Sequence, residues 1–336
     1  MRLSTSACLV AVALSSSLAG CDEVAKAVDA NNNQSGEADG RAQELAKVPQ
    51  RLANLALDTK ELWVIGENGD ILKGPVDGTA APAKVGGYAR VNASADTPRA
   101  LLDADFLYIL DRNTVSRMPR AGGAVEKLTD AAPSNLAQSA DALFAVSVDT
   151  KKLLRIDKAT KATTDLASGF GAISDILGEG DRIFVADRAG EVIASVATKD
   201  GARTDLAKNQ SRPYRIGLGA GYVYWANGAL SDANKAVEDR VLRVKLDGSG
   251  QPETIIEKTD GFPTRLAGDA QFLYVGQRCG GLYRVPATGG VSSKFLNAAV
   301  QDFDITSDRV VVMEDNGCRF DEAAKSQPNR VLSAAK

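Results

Sequence analysis

From Arg41 onward, apolar and polar residues alternate in short runs, and almost no stretch carries the ~3.6-residue spacing of a helix. The runs are closed by Gly, Asp and Asn, which favour tight turns. One pairing of runs recurs. Tyr222-Val-Tyr-Trp-Ala-Asn227 is followed by Arg240-Val-Leu-Arg-Val-Lys-Leu-Asp-Gly248. Phe272-Leu-Tyr-Val275 leads to Gly281-Leu-Tyr-Arg-Val-Pro-Ala-Thr-Gly-Gly290, and Phe106-Leu-Tyr-Ile109 leads to Thr114-Val-Ser-Arg-Met-Pro-Arg-Ala-Gly-Gly123. The pattern predicts an all-β chain of short strands.

Aligning the second strand of each unit on its bulky centre gives Trp63, Tyr108, Phe144, Phe184, Tyr224, Tyr274 and Val312. Subtraction gives intervals of 45, 36, 40, 40, 50 and 38 residues. About four strands repeating every ~40 residues is the signature of a propeller blade. Each unit holds an inner strand, an apolar second strand, a third strand and a polar fourth. The seventh unit lacks its fourth, with Asp302 to Thr306, Arg309 to Met313 and Asn329 to Ser333 supplying three. Gln43-Glu44-Leu45-Ala46-Lys47 matches Arg203-Thr-Asp-Leu-Ala-Lys208, a fourth strand. The expected fold is therefore a seven-bladed β-propeller over 41–336, closed by an N-terminal strand that completes the last blade. Closure removes the sheet edge that an open array would leave exposed.

Composition narrows the chemistry. The chain has 336 residues, 44% of them hydrophobic, with a net charge of -3 and no histidine. Ser-His-Asp and Cys-His catalysis and histidine-dependent propeller lyases are thereby excluded, while carboxylate, Lys and Tyr chemistry is not. The slightly acidic balance argues against a nucleic-acid partner, which needs a basic stripe.

The first forty residues read as an address. Arg2 precedes the apolar run Ala7 to Leu14, which is too short to span a bilayer. Leu18-Ala19-Gly20-Cys21 then resembles the lipobox of bacterial lipoproteins. The resemblance implies a signal peptide over 1–20, lipid chains such as palmitate on Cys21, and a membrane-anchored place in the bacterial cell envelope. Asp22 resembles an inner-membrane retention signal of enteric bacteria, and the choice of membrane stays open. Residues 21–40, rich in Asn, Asp, Gly, Ala and Ser, read as a flexible tether. With Cys8 in the signal and Cys21 lipidated, Cys279 and Cys318 remain, 39 residues apart, in equivalent loops of adjacent blades. In an oxidising envelope compartment they are expected to form a disulfide contributing roughly 3–4 kcal/mol.

The loops entering the inner strands and those after the second strands share one face of such a ring. That face should carry Arg51, Arg99, Arg215 and Arg265, together with Asn68, Arg112, Arg188, Asn227 and Gln277. Arginines converging on a channel mouth can bind an anionic group or an acidic partner, or can bond neighbouring blades as local structural residues. Two long segments, Gly228 to Asp239 and Arg319 to Pro328, fall on the same face and are candidate partner contacts. Repeated Asp residues before the second strands (Asp58, Asp105, Asp141, Asp181, Asp308) suit turns better than a calcium loop. No catalytic or metal-binding constellation and no cofactor motif emerges.

Tyr224-Trp225-Ala226-Asn227, with Arg-Val and Asp-Gly behind it, resembles the Tyr-Trp-Thr-Asp type of propeller repeat, with Ala226 in place of Thr. It is more similar still to bacterial envelope propellers. WD-repeat, kelch and sialidase-type boxes are missing. The expectation is a lipid-anchored binding or scaffold propeller, whose partner is an envelope protein or a small anionic ligand. The alternative is a lactonase-like enzyme with a metal or carboxylate site in the central channel. A sugar-binding module would have only Trp63 and Trp225 as stacking platforms, both in strands expected to be buried.

Overall fold

The computed structural model describes residues 42–48, 51–90, 99–112, 114–130, 133–147, 149–228, 240–259, 263–278, 280–314 and 329–336. The expected signal peptide and tether over 1–40, with Cys21, Cys279, Cys318 and the segments 229–239 and 319–328, lie outside the described residues. Among the described residues there are seven four-stranded antiparallel sheets and no helix.

The innermost strands are Leu52–Leu57, Arg99–Leu102, Pro133–Gln138, Ile173–Glu179, Pro213–Gly219, Pro263–Gly268 and Val300–Ile305. Each touches the next, and the last touches the first, so the seven blades form a closed ring. They come close enough that a Cβ on Gly219 would stand 2.5 Å from the Gly268 backbone. The seventh sheet runs Val300–Ile305, Arg309–Glu314, Asn329–Ala335 and finally Ala42–Val48. The N-terminal strand therefore completes the last blade. Its match to the fourth strand of blade four extends to the defects: Leu45 is skipped between Glu44 and Ala46, as Leu206 is skipped between Asp205 and Ala207. Such bulges turn a side chain toward the core, and Leu45 is 6% exposed.

The ring has no single core. Seven apolar clusters lie one at each junction between blades. Second strands are buried on both faces, as middle strands between packed sheets must be. Trp63, Tyr108, Phe144, Phe184, Tyr224 and Tyr274 stand third in those strands, are at most 2% exposed, and pack against the following blade. In the seventh blade this place belongs to Val311, not Val312. Val311 packs toward blade one with Leu52 and Leu62, whereas Val312 faces back toward Tyr274. A slip of one residue reverses the face of a strand, and an all-Val run carries no mark of its register.

One backbone bond recurs in all seven blades. The residue after the third strand donates its N–H to a carbonyl in the turn between strands one and two: Val76 to Lys60, Arg120 to Asp105, Lys158 to Asp141, Thr198 to Asp181, Leu246 to Gly221, Ala287 to Gln271, and Lys336 to Asp308. At three junctions the side chain of that same residue reaches back into the preceding blade. Arg120 pairs with Asp58 and Glu61. Lys158 Nζ lies 2.8 Å from Asp103, and Lys336 Nζ lies 2.8 Å from Asp269. These aspartates close the inner strands and also accept turn N–H groups, Asp103 from Asp105 and Phe106 and Asp269 from Gln271 and Phe272. The turn role foreseen for Asp105 thus falls to Asp103.

Burial alone would raise the carboxyls of Asp58, Asp103 and Asp269. Hydrogen bonds from Arg120, Lys158, Lys336 and the turn amides outweigh it and hold all three below the ordinary aspartate value of 3.8. A depressed folded pKa gives stability that is fully present above the unfolded value and lost as pH falls through the folded one. Acid unfolding should accordingly begin below about pH 4. Asp103→Asn should flatten the dependence of stability on pH between about 4 and 2, measured by urea titration at each pH; an unchanged slope rejects the latch. Leu45→Ala should cost roughly 2–4 kcal/mol in global unfolding, because its removal opens a cavity at the closure seam. Loss of only the local N-terminal strand in hydrogen exchange, with global stability intact, would contradict that seam.

Candidate functional site

Bulges re-aim the start of the inner strands. Register shifts occur between Leu52 and Asn54, Ile173 and Asp175, Pro213 and Arg215, Pro263 and Arg265, and Val300 and Asp302. The residue beyond each shift pairs with the fifth position of the second strand, as Arg99 does in blade two and Ser134 in blade three. Asn54, Arg99, Ser134, Asp175, Arg215, Arg265 and Asp302 therefore stand at one level around the channel mouth.

Six of these seven are bonded from blade to blade. Asn54 Nδ2 donates to Asp302 Oδ2 at 2.8 Å, and Asn54 Oδ1 accepts the Ala100 N–H at 2.9 Å. Arg99 Nη2 reaches Asp175 Oδ1 at 2.8 Å, past blade three. Asp175 Oδ2 accepts the N–H of Ile216 at 3.1 Å. Arg215 Nε donates to the Thr264 carbonyl at 3.0 Å, and Arg265 Nη1 donates to Asp302 Oδ1 at 3.3 Å. One step below, Arg265 Nη2 meets Asp304 Oδ2 at 3.2 Å. Gln138 Nε2 to the Leu102 carbonyl and Gln301 Nε2 to the Leu52 carbonyl add two more links between neighbouring blades. The result is a polar belt that runs round the ring.

Electrostatics follow from crowding. Burial works against the charge of Arg265, but the carboxylates of Asp304, Asp302 and Asp175 outweigh it and raise its pKa above the ordinary arginine value. Asp304 goes the other way: burial lifts its carboxyl, and Arg265 offsets that lift only in part. Every carboxylate oxygen of Asp175, Asp302 and Asp304 already accepts an N–H, from Arg99, Ile176, Ile216, Arg265, Phe303, Asn54 or Ile305.

Of the arginines foreseen for the mouth, Arg99, Arg215 and Arg265 stand in the belt. Arg51 does not. It precedes the first inner strand, two-thirds of its side chain is exposed, and its nearest carboxylate is Glu67 at 3.7 Å. Asn227 is 7% exposed at the end of its strand, where its Nδ2 and the Trp225 indole N–H share Gln210 Oε1. It belongs to a second polar set, the last residues of the second strands. There Asp187 accepts the N–H groups of Gly171, Ala172 and Gly190, and Asp111 pairs with Arg90. Asn54, Asp175 and Asp302 were not foreseen. The signal for them is spacing: six belt residues precede the third residue of their second strand by nine, as 63 − 54, 108 − 99, 184 − 175, 224 − 215, 274 − 265 and 311 − 302 give.

Arg215 differs from the other two arginines. Its guanidinium meets only the carbonyls of Thr264 and Tyr214 and the face of the Tyr214 ring at 5.9 Å, and no carboxylate among the described residues pairs with it. Trp63 and Trp225 are both fully buried, so neither offers a stacking surface.

Fold and site together define a seven-bladed β-propeller with a charge-rich, hydrogen-bonded channel mouth. No protein-family model matches the sequence, and neither does any curated protein. Solved structures do match its shape. The WD40 domain of Pan2 from Neurospora crassa aligns at a TM-score of 0.65 and 10% identity, over 88% of this chain and 96% of that one. Virginiamycin B lyase from Staphylococcus aureus aligns at 0.64 and 12%, over 89% and 99%. The WD40 repeats of RRP9 align at 0.65 and 11%, over 89% and 100%. At such identities the likeness carries the fold alone, since propellers of one shape do unrelated things.

Removing one partner of a belt ion pair should be felt well beyond its own blade. Asp175→Asn leaves Arg99 without its counter-charge and should cost roughly 3 kcal/mol in urea unfolding. Arg99→Met added to it should restore part of that loss; strictly additive costs would mean that the pair is not coupled.

Proposed function

We propose that this protein is a lipid-anchored binding propeller of the bacterial envelope, which captures an anionic group at its channel mouth. The observation that carries the reading is Arg215, a guanidinium in the belt with no carboxylate partner among the described residues. Arg99 is answered by Asp175 and Arg265 by Asp302 and Asp304, which leaves Arg215 as the belt guanidinium without a carboxylate among the described residues. Its Nε and Nη1 donate to carbonyls, and Nη2, which makes no bond among the described residues, is a charged donor suited to a carboxylate or phosphate oxygen. The lipobox-like Leu18-Ala19-Gly20-Cys21 supports the anchor, and several acyl chains would hold the protein at the membrane durably. The partner is then an acidic segment of an envelope protein or a small anionic ligand.

The enzyme reading draws on the convergence of Asn54, Asp175 and Asp302. Against it, all the carboxylate oxygens there are engaged, and among the described residues no three acidic or cysteine side chains are grouped to hold a metal ion. A calcium-dependent rise in Tm that Asp302→Asn abolishes would reinstate it.

Two measurements test the proposal. Radiolabelled palmitate should enter the wild type and not Cys21→Ser; labelling of the variant removes the anchor. In calorimetric titrations with succinate and with inorganic phosphate, at least one should bind saturably, and Arg215→Ala should weaken it about tenfold with Tm little changed. Failure of both probes, or binding indifferent to Arg215, rejects anion capture at the mouth.

A further inference from the structure

The third residue of each second strand pairs with one residue of the third strand. In five blades that residue is a cation: Lys73, Arg117, Arg155, Arg243 and Arg284. Blades four and seven have Ser195 and Ser333 there. Four of the five cations meet a carboxylate. Lys73 Nζ lies 2.8 Å from Glu61, Arg117 Nε 2.8 Å from Glu126, Arg155 Nη2 2.7 Å from Asp141 and Arg243 Nη2 2.8 Å from Glu253. Arg284 meets none among the described residues. The difference starts in the sequence: Arg117 faces Glu126 on the fourth strand and Arg243 faces Glu253, whereas Arg284 faces Ser293.

Rings hold Arg284 in place. Its guanidinium carbon lies 4.8 Å from the centre of the Phe272 ring and 5.0 Å from that of Phe295, where Arg117 and Arg243 have one ring each, Phe106 and Tyr222. Those two arginines also donate to the next blade, to the carbonyls of Lys158 and Ala287. Arg284 makes no such bond to Lys336, which holds the equivalent place in blade seven. A second donor at this spot is also unanswered. Tyr274 pairs with Arg284 across the strands and is fully buried, yet its hydroxyl closes no hydrogen bond. In blade two the equivalent Tyr108 hydroxyl donates to Asp103 at 2.8 Å. The Tyr224 hydroxyl is unbonded as well, but its arginine already holds Glu253. Burial and then Asp269 push the Tyr274 pKa up to about 12 against the opposing charge of Arg284, so the hydroxyl keeps its proton and stays a donor.

We propose that this edge of blade six binds a carboxylate, the aspartate or glutamate side chain of a partner protein, in the place that Glu126 and Glu253 take from within the chain. Arg284 gives the N–H edge of its fork to the carboxylate, and the two rings hold that fork flat and keep water from its faces. Tyr274 supplies the second donor. The site stands beside the Lys336 latch, on the face opposite the channel mouth, and does not depend on anion capture at Arg215.

The test uses the full chain in detergent, isotope-labelled at arginine, in an Arg215→Ala background that silences the mouth. Nα-acetyl-glutamate methylamide is the probe and its glutamine analogue the uncharged control. The Nε–H resonance that disappears in Arg284→Lys should shift saturably with the glutamate probe alone. Ser293 is exposed, so Ser293→Glu should fold, supply the missing acid from within and abolish the shift. Tyr274→Phe should weaken the probe about threefold. No shift at Arg284, an equal shift with the glutamine analogue, parent-like binding in Ser293→Glu, or an affinity unchanged in Tyr274→Phe would each overturn the proposal.

Discussion

The antiparallel pairing of Ala42–Val48 with Asn329–Ala335 is the constraint on which the rest of the molecule depends. A propeller blade cannot stand alone, because its middle strand is apolar on both faces and each face needs a neighbouring sheet. Seven blades satisfy one another only if the last also meets the first. Here that junction is built from both ends of the domain, with Leu45 and Val48 packing beside Leu52, Val311 and Val331. Closing a loop of nearly the whole domain carries an entropic cost that grows only slowly with length, and one strand's worth of hydrogen bonds and apolar burial offsets it. The seam is thus short in sequence but sets the cooperativity of the ring.

Two polar systems then fix what apolar packing leaves loose. Hydrophobic contacts between sheets are tolerant of sliding, whereas hydrogen bonds are not. On one face the latches of Arg120, Lys158 and Lys336 tie turns to neighbouring blades. At the channel mouth the belt from Asn54 to Asp302 does the same across the inner strands. The belt is partly dry, and Asp175 keeps 3% of its side-chain surface. Buried charges need their partners, so most of the belt cannot be given over to a ligand without cost to the ring. This separates Arg99 and Arg265, held by aspartates, from Arg215, held only by carbonyls.

Most of the fold was legible because the repeat is stated in residue types. The aromatic third in six of the seven second strands recurs near every forty residues, and the closing strand copies Asp205-Leu206-Ala207 as Glu44-Leu45-Ala46, bulge included. The alignment points to Val312 where the structure has Val311, because Val310-Val-Val312 gives no clue to its phase. The belt was half legible. Arginines at the starts of inner strands drew notice because they are long and charged, but Asn54, Asp175 and Asp302 occupy the same register in different chemistry. A ring that mixes cations, anions and neutral amides or hydroxyls looks, in sequence, like a position without a rule. Arg51 misled for the opposite reason: it has the right residue type three places too early, before the bulge that turns a side chain toward the channel.

Repetition also explains where a propeller can acquire function. Each junction solves the same packing problem, so a position that departs from the local solution is either compensated nearby or left for something outside the chain. Ser195 is compensated, since Arg182 supplies the bond that a third-strand cation makes in other blades. Thr198 is matched by the loss of an acid at Ser139, which removes the need for a cation. Leu246 is compensated by packing, since its side chain joins the apolar cluster that buries Phe184. Arg215 is a departure left uncompensated among the described residues, a guanidinium that meets only carbonyls while Arg265 has two aspartates. A uniform scaffold makes such an uncompensated departure visible.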